Sequence, residues 1–130
     1  MTSSADATGS LDGTSVLLVE DEFLILLDLE YVLTSAGASV TTATSLAEAM
    51  AAADGSYDVA VLDVRLPDGE VYPAARLLVD RDVPVVFHSG HAHNDNIAET
   101  FPTAVALEKP ALERTLIAAV ERQAMQGAGR

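Results

Sequence analysis

Val16-Leu17-Leu18-Val19-Glu20-Asp21-Glu22 sets the reading of the whole chain. Four apolar residues bounded by polar ones are too few for a buried helix. They fit a strand covered on both faces. The same shape returns downstream. Val59-Ala60-Val61-Leu62 runs into Asp63, Val83–Phe87 leads to Ser89, and Thr103–Leu107 leads to Glu108-Lys109-Pro110. Ser39–Ala43 supplies one more strand.

Helical patterns fill the gaps. Phe23–Ala36 reads as a helix closed by Gly37 at the C′ position. Ser45 opens a second helix, with Glu48 completing a capping box, and it runs to about Ala53. A third spans about Tyr72–Asp80, with Pro73 in its first turn. Asn94–Phe101 is a short fourth. The fifth follows Pro110 to about Met125, and Leu112, Leu116, Ala119 and Val120 form its buried stripe. Continuous apolar strands alternating with helices predict an α/β fold, a five-stranded parallel sheet with five helices on both faces. Such sheets place their sites beyond the carboxyl ends of the strands.

At 130 residues the chain has the length of one domain. Met1–Ser15 is rich in Ser, Thr, Gly, Asp and Ala. The expected division is a disordered leader over 1–14, a folded domain over 15–126 and a disordered tail over 127–130. Cysteine is absent, which excludes disulfides, thiolate metal sites and cysteine nucleophiles. Seven Lys+Arg against 20 Asp+Glu give −13. That balance argues against nucleic acid and anionic membrane as partners. Arg65 is the first fixed cation, and eleven acids precede it. Neither a signal peptide nor a membrane span is legible, so the expected address is the cytoplasm.

Glu20 and Asp21, Asp63, Ser89 and Lys109 therefore meet on one rim of the sheet. Taken singly, each acid reads as a helix cap or turn former, and Ser89 or Lys109 as a surface residue. Their joint placement at four strand ends points to a site. Clustered carboxylates repel one another unless a cation sits among them, and hard oxygen ligands suit Mg²⁺, which pairs with phosphate. A carboxylate beside such a metal can attack phosphorus and form an acyl phosphate. The lysine opposite can hold a phosphoryl oxygen.

At these residues the sequence resembles the receiver domain of two-component response regulators, from Val16 to about Met125. The resemblance rests on Val19-Glu20-Asp21-Glu22, on Leu62-Asp63-Val64-Arg65-Leu66-Pro67-Asp68-Gly69, on His88-Ser89-Gly90 and on Glu108-Lys109-Pro110. It implies a flavodoxin-like sheet of order 2-1-3-4-5 and Asp63 as phosphoacceptor. Asp21, Asp63, the Arg65 backbone carbonyl and Glu20 would hold Mg²⁺, with Mn²⁺ as the expected substitute. Ser89 and Lys109 would contact the phosphoryl group, and the Lys109–Pro110 bond would be cis. Arg65 and His91 occupy positions that tune hydrolysis of the acyl phosphate. The implied role is a stand-alone phosphoacceptor, without a DNA-binding output domain, which catalyses only its own phosphoryl transfer and dephosphorylation. The phosphoryl donor would be a histidine kinase or a histidine phosphotransfer protein.

Two departures stand out. The family's aromatic switch position, three residues before the lysine, holds Ala106. Ser89 and Lys109 are close in sequence, so the fourth helix is expected to be stubby. Competing readings each lack a part. An aspartate-nucleophile phosphohydrolase needs a second Asp where Arg65 stands. A flavodoxin-like cofactor binder needs a phosphate loop where Glu20-Asp21-Glu22 would repel phosphate. A constitutive scaffold or phosphate sink is the alternative with the same residues.

The first helix is unusually apolar. Ile25, Leu29, Val32 and Leu33 form the expected core face. Phe23, Leu27 and Tyr31 lie opposite, where the kinase's helices or a second copy of the chain would dock. His88, His91 and His93 read as a protonatable loop in preference to a zinc site, since no fourth ligand is evident.

Overall fold

The computed structural model describes residues 9–90 and 96–128. Strands β1 (Ser15–Val19), β2 (Ser39–Ala43), β3 (Val59–Leu62), β6 (Val85–Ser89) and β7 (Val105–Glu108) form one parallel sheet of order β2-β1-β3-β6-β7. This is the expected order, renumbered because β4 (Arg65–Leu66) and β5 (Gly69–Glu70) form a separate antiparallel ribbon. Leu66-Pro67-Asp68-Gly69, which by composition alone reads as a loop, spans the turn of that ribbon. Helices are α1 (Phe23–Ser35), α2 (Leu46–Ala52), α3 (Tyr72–Asp80), α4 (Ile97–Thr100) and α5 (Glu113–Ala128). No helix among the described residues is long and apolar enough to cross a membrane.

Strand alternation divides the core in two. Leu17, Val19, Ala60, Leu62, Val85 and Phe87 face α2, α3 and α4. Val16, Leu18, Val59, Val61 and Val86 face α1 and α5. Both sets are buried, which is why these strands read as unbroken apolar runs.

Local signals largely hold. Ala38 N–H donates to Leu33 O and Gly37 N–H to Thr34 O, closing α1 in a Schellman motif. Gly37 sits at φ +106°, and a Cβ there would collide with Asp12. Ser45 Oγ accepts from Glu48 N–H, while Glu48 Oε1 reaches back to Thr44 N–H. Pro73 stands in the first turn of α3, and α4 is a single turn.

Other expectations are corrected. Leu112 precedes α5 and is exposed, and Ile117 takes its place beside Leu116 and Val120 in the core. In α1, Leu26 joins Leu29, Val32 and Leu33 in the core, while Ile25 is only partly buried. Ser89, expected just beyond the fourth strand, is the last residue of β6.

The leader boundary also moves. Residues 1–8 and 129–130 lie outside the described residues, but 9–14 form a turn whose Leu11 is 1% exposed. Leu11 N–H donates to Ala36 O, and Leu11 packs in the α1–α5 core. One aliphatic side chain, isolated in sequence, anchors this turn together with main-chain bonds from Leu11 to Ala36 and from Ser39 to Thr14. Leu11→Ala is expected to cost about 2–4 kcal/mol of unfolding free energy, read from urea denaturation. A loss below about 0.5 kcal/mol would show that the turn does not belong to the packed unit. At the other end, α5 continues past the expected boundary at 126.

Candidate functional site

The sheet itself carries the site. Glu20 N–H donates to Ala43 O, Asp63 N–H to Val19 O and Lys109 N–H to Ser89 O. Each of these residues is thus tied to the last residue of a neighbouring strand. Because the strands are parallel and in register, their carboxyl ends finish together. Side chains from separate parts of the chain meet there on a rigid frame.

Glu20, Asp63 and Ser89 are all buried. Glu20 Oε2 accepts Glu22 N–H at 3.1 Å, which curls the β1–α1 turn over the carboxylate. Lys109 Nζ lies 3.0 Å from Glu20 Oε1 and 3.2 Å from Asp63 Oδ1. One carboxylate oxygen from each of Glu20, Asp21 and Asp63 falls within 4.8 Å of the others. Three carboxylates against one ammonium leave excess negative charge.

The protonation equilibria register that excess. Burial, reinforced by the hydrogen bond and charge of Glu20, pushes the Asp63 carboxyl up to about 7, against the pull of Lys109. Burial would lower the Lys109 ammonium, but Glu20 and Asp63 overcome it and raise the group above its ordinary value. A divalent cation with hard-oxygen preference fits this donor set, since its charge would replace the proton that Asp63 retains near neutrality. Magnesium affinity is therefore expected to fall about tenfold from pH 8 to pH 6, as the ion comes to displace a proton from Asp63. Calorimetric titration at both pH values tests this, and equal affinities would exclude Asp63 as the titrating ligand.

The β4–β5 ribbon follows Asp63 directly. Arg65 is exposed, and its guanidinium approaches Glu70 at 3.8 Å. Asp68, at the tip, has a role that sequence reasoning missed. Its two carboxylate oxygens accept Leu46 N–H at 2.7 Å and Ala47 N–H at 3.0 Å. These bonds cap α2 from another part of the chain and hold the Asp68 carboxyl below its ordinary range. With Ser45 on Glu48 N–H, the first three amides of α2 are satisfied. The sequence offers only a Pro-Asp-Gly turn and, 22 residues before it, a helix start whose own cap reaches one amide.

His88 points away from Ser89, as strand alternation requires. Its Nε2 accepts Ala111 N–H at 3.4 Å, and burial together with the Lys109 charge lowers its pKa. It is an interior side chain of β6 and no part of the protonatable loop expected there. His91 and His93 lie outside the described residues. The Lys109–Pro110 bond is cis, as the resemblance implies. Ala106 pairs with Phe87 across β6–β7, and the Phe87 ring packs against both Tyr72 and Phe101.

The response regulator receiver domain family matches residues 16–121. A response regulator receiver protein from Sinorhizobium medicae is 33% identical, with 90% of this chain and 98% of that chain covered, at TM-score 0.81. The receiver domain of the sensor histidine kinase PA1611 from Pseudomonas aeruginosa, solved with magnesium coordinated in its active-site cleft, is 27% identical. That likeness covers 87% of this chain and 98% of the other, at TM-score 0.76. The non-phosphorylated HemR receiver domain from Leptospira biflexa is also 27% identical, covering 85% and 94%, at TM-score 0.76. No curated protein matches.

Proposed function

Because the chain belongs to the response regulator receiver domain family, we propose that Asp63 accepts a phosphoryl group from a histidine kinase or phosphotransfer protein in a magnesium-dependent relay. The observation that carries this reading is Lys109 Nζ at 3.2 Å from Asp63 Oδ1, inside a cluster completed by Glu20 and Asp21.

A carboxylate oxygen of Asp63 attacks phosphorus as the bond from phosphorus to the donor's imidazole nitrogen breaks, and that electron pair stays on nitrogen. The product is an acyl phosphate. Glu20, Asp21, Asp63 and the Arg65 carbonyl would hold Mg²⁺, which supplies charge neutralisation for the phosphoryl oxygens. Lys109 transfers its contact from Asp63 to one phosphoryl oxygen, and the Ser89 hydroxyl donates to another. Positioning and charge stabilisation account for the catalysis. Ala106 leaves no aromatic side chain to rotate in β7, which favours draining phosphoryl groups from a shared kinase as a second role.

Intact-protein mass spectrometry after acetyl phosphate tests the proposal. One phosphoryl adduct is expected with Mg²⁺ and none with chelator. No adduct from either acetyl phosphate or candidate kinases would overturn it in favour of a constitutive scaffold.

The donor would dock on α1. Phe23, Leu24, Leu27 and Tyr31 are exposed there, and Glu22, Asp28 and Glu30 share the helix or its start. That surface suits an apolar helix with a basic rim. Leu27→Glu is expected to slow transfer from a kinase at least tenfold while leaving acetyl phosphate labelling unchanged. Equal loss in both assays would place Leu27 in the fold instead of the interface.

A further inference from the structure

The open edge of the sheet carries an inference independent of phosphoryl chemistry. Among the described residues β7 is last in the strand order and pairs with β6 alone. Exposed strand edges are commonly guarded by lysine, proline or a bulge. β7 carries its charged and proline guards, Glu108, Lys109 and Pro110, at its carboxyl end, and Val105-Ala106-Leu107 before them has none. Its two faces are also thinly covered among the described residues. On the α4 side that helix is one turn and Ala106 is exposed. On the α5 side a groove of about 460 Å³ runs between Val105 and Leu107 and the small side chains Thr115, Ala118 and Ala119.

Charge marks what the groove would take. The other described cations are committed: Arg65 to Glu70, Arg76 to Asp80, Arg81 to Asp54, and Lys109 to Glu20 and Asp63. Arg114 and Arg122 have no such partner among the described residues, in a chain of net charge −13, and both line this groove. Eight residues of helix separate them by about 12 Å along the axis. Four residues of strand span about 13 Å and return to the same face.

We propose that the β7 edge accepts a partner protein's extended segment as a sixth strand. That segment carries acidic side chains four residues apart, which pair with Arg114 and Arg122, and a β-branched residue midway that sits over Ala118 and Ala119. Main-chain bonds to β7 supply affinity, and the two guanidinia supply selectivity, as in other strand additions.

Fluorescence anisotropy on the full chain, without Mg²⁺ or phosphoryl donor, tests this with a labelled Ser-Glu-Thr-Val-Thr-Glu-Ser peptide. Binding is expected to weaken at least tenfold in Arg114→Glu/Arg122→Glu and to vanish when Lys replaces both Glu of the peptide. Methylating the peptide's amide nitrogens at alternate residues should abolish binding in one of the two alternating series and spare the other. Amide resonances of Val105–Glu108 should shift. No binding at millimolar peptide, equal binding of the Lys peptide, or equal effects of the two methylated series would overturn the proposal. So would sedimentation showing that a second copy occupies this edge and excludes the peptide.

Discussion

Asp63→Asn is expected to abolish the phosphoryl adduct and, at pH 8 without metal, to raise the thermal midpoint by about 5–10 °C. The two effects share one cause. A side chain able to attack phosphorus here must be an anion held out of water beside other anions. Burial and Glu20 push the Asp63 carboxyl from 3.8 to about 7 in the folded protein. The sign follows from linkage. A carboxyl raised on folding contributes most favourably below pH 3.8, and that contribution is lost as pH climbs to about 7. Above pH 7 the folded protein carries the full penalty of the ionised group.

Asparagine keeps the shape and removes the charge, while Lys109 keeps Glu20 at 3.0 Å. Allowing for the lost contact between Lys109 and Asp63, a gain of roughly 1–2 kcal/mol remains, which sets the size of the shift for a domain of this length. Toward pH 4 the gap between wild type and variant should narrow, because folded Asp63 is then neutral and the ionised share of the unfolded state, with its carboxyl near 3.8, is falling. Excess Mg²⁺ should raise the wild-type midpoint and leave the variant nearly unmoved. Calorimetry across pH 4–8 checks this. A variant less stable than wild type at pH 8 would show that the Lys109 contact outweighs the repulsion.

Lys109→Met is expected to move two readouts in opposite directions. Its ammonium offsets charge on Glu20 and Asp63 at contact distance. Removing it leaves Glu20 and Asp63 more negative, so Mg²⁺ should bind a few-fold more tightly at pH 8. Phosphoryl transfer should instead slow roughly 100-fold, the usual scale for losing one preorganised group that stabilises developing charge. Titration of Mg²⁺ and the rate of acetyl phosphate labelling measure the pair. Parallel loss of both would mean general damage to the strand ends and would remove Lys109 from the phosphoryl site.

Much of this was legible beforehand, for physical reasons that act over short stretches of chain. A strand buried on both faces must be apolar at every position, so Leu17 and Leu18 announce a covered parallel sheet although they point into different cores. Parallel strands finish at one rim, so a reader who finds the strands has found the neighbourhood of Glu20, Asp63, Ser89 and Lys109. Gly37 and Ser45 mark helix ends through bonds spanning only a few residues. Leu112 misled because periodicity cannot see where a helix begins. It lies on the right stripe but before the first turn of α5.

Sequence by itself therefore determined the fold class, the strand order through family resemblance, and the set of residues at the strand ends. Tertiary structure alone decided the rest. It buried Leu11 under α1, brought Asp68 onto the amides of α2, and set Lys109 between Glu20 and Asp63. Each depends on a distance between residues remote in sequence. Burial and charge coupling are properties of such distances, and no local pattern encodes them. The raised Asp63 carboxyl shows the division most plainly: its identity and position are written in the chain, while its proton affinity exists only once the sheet has assembled.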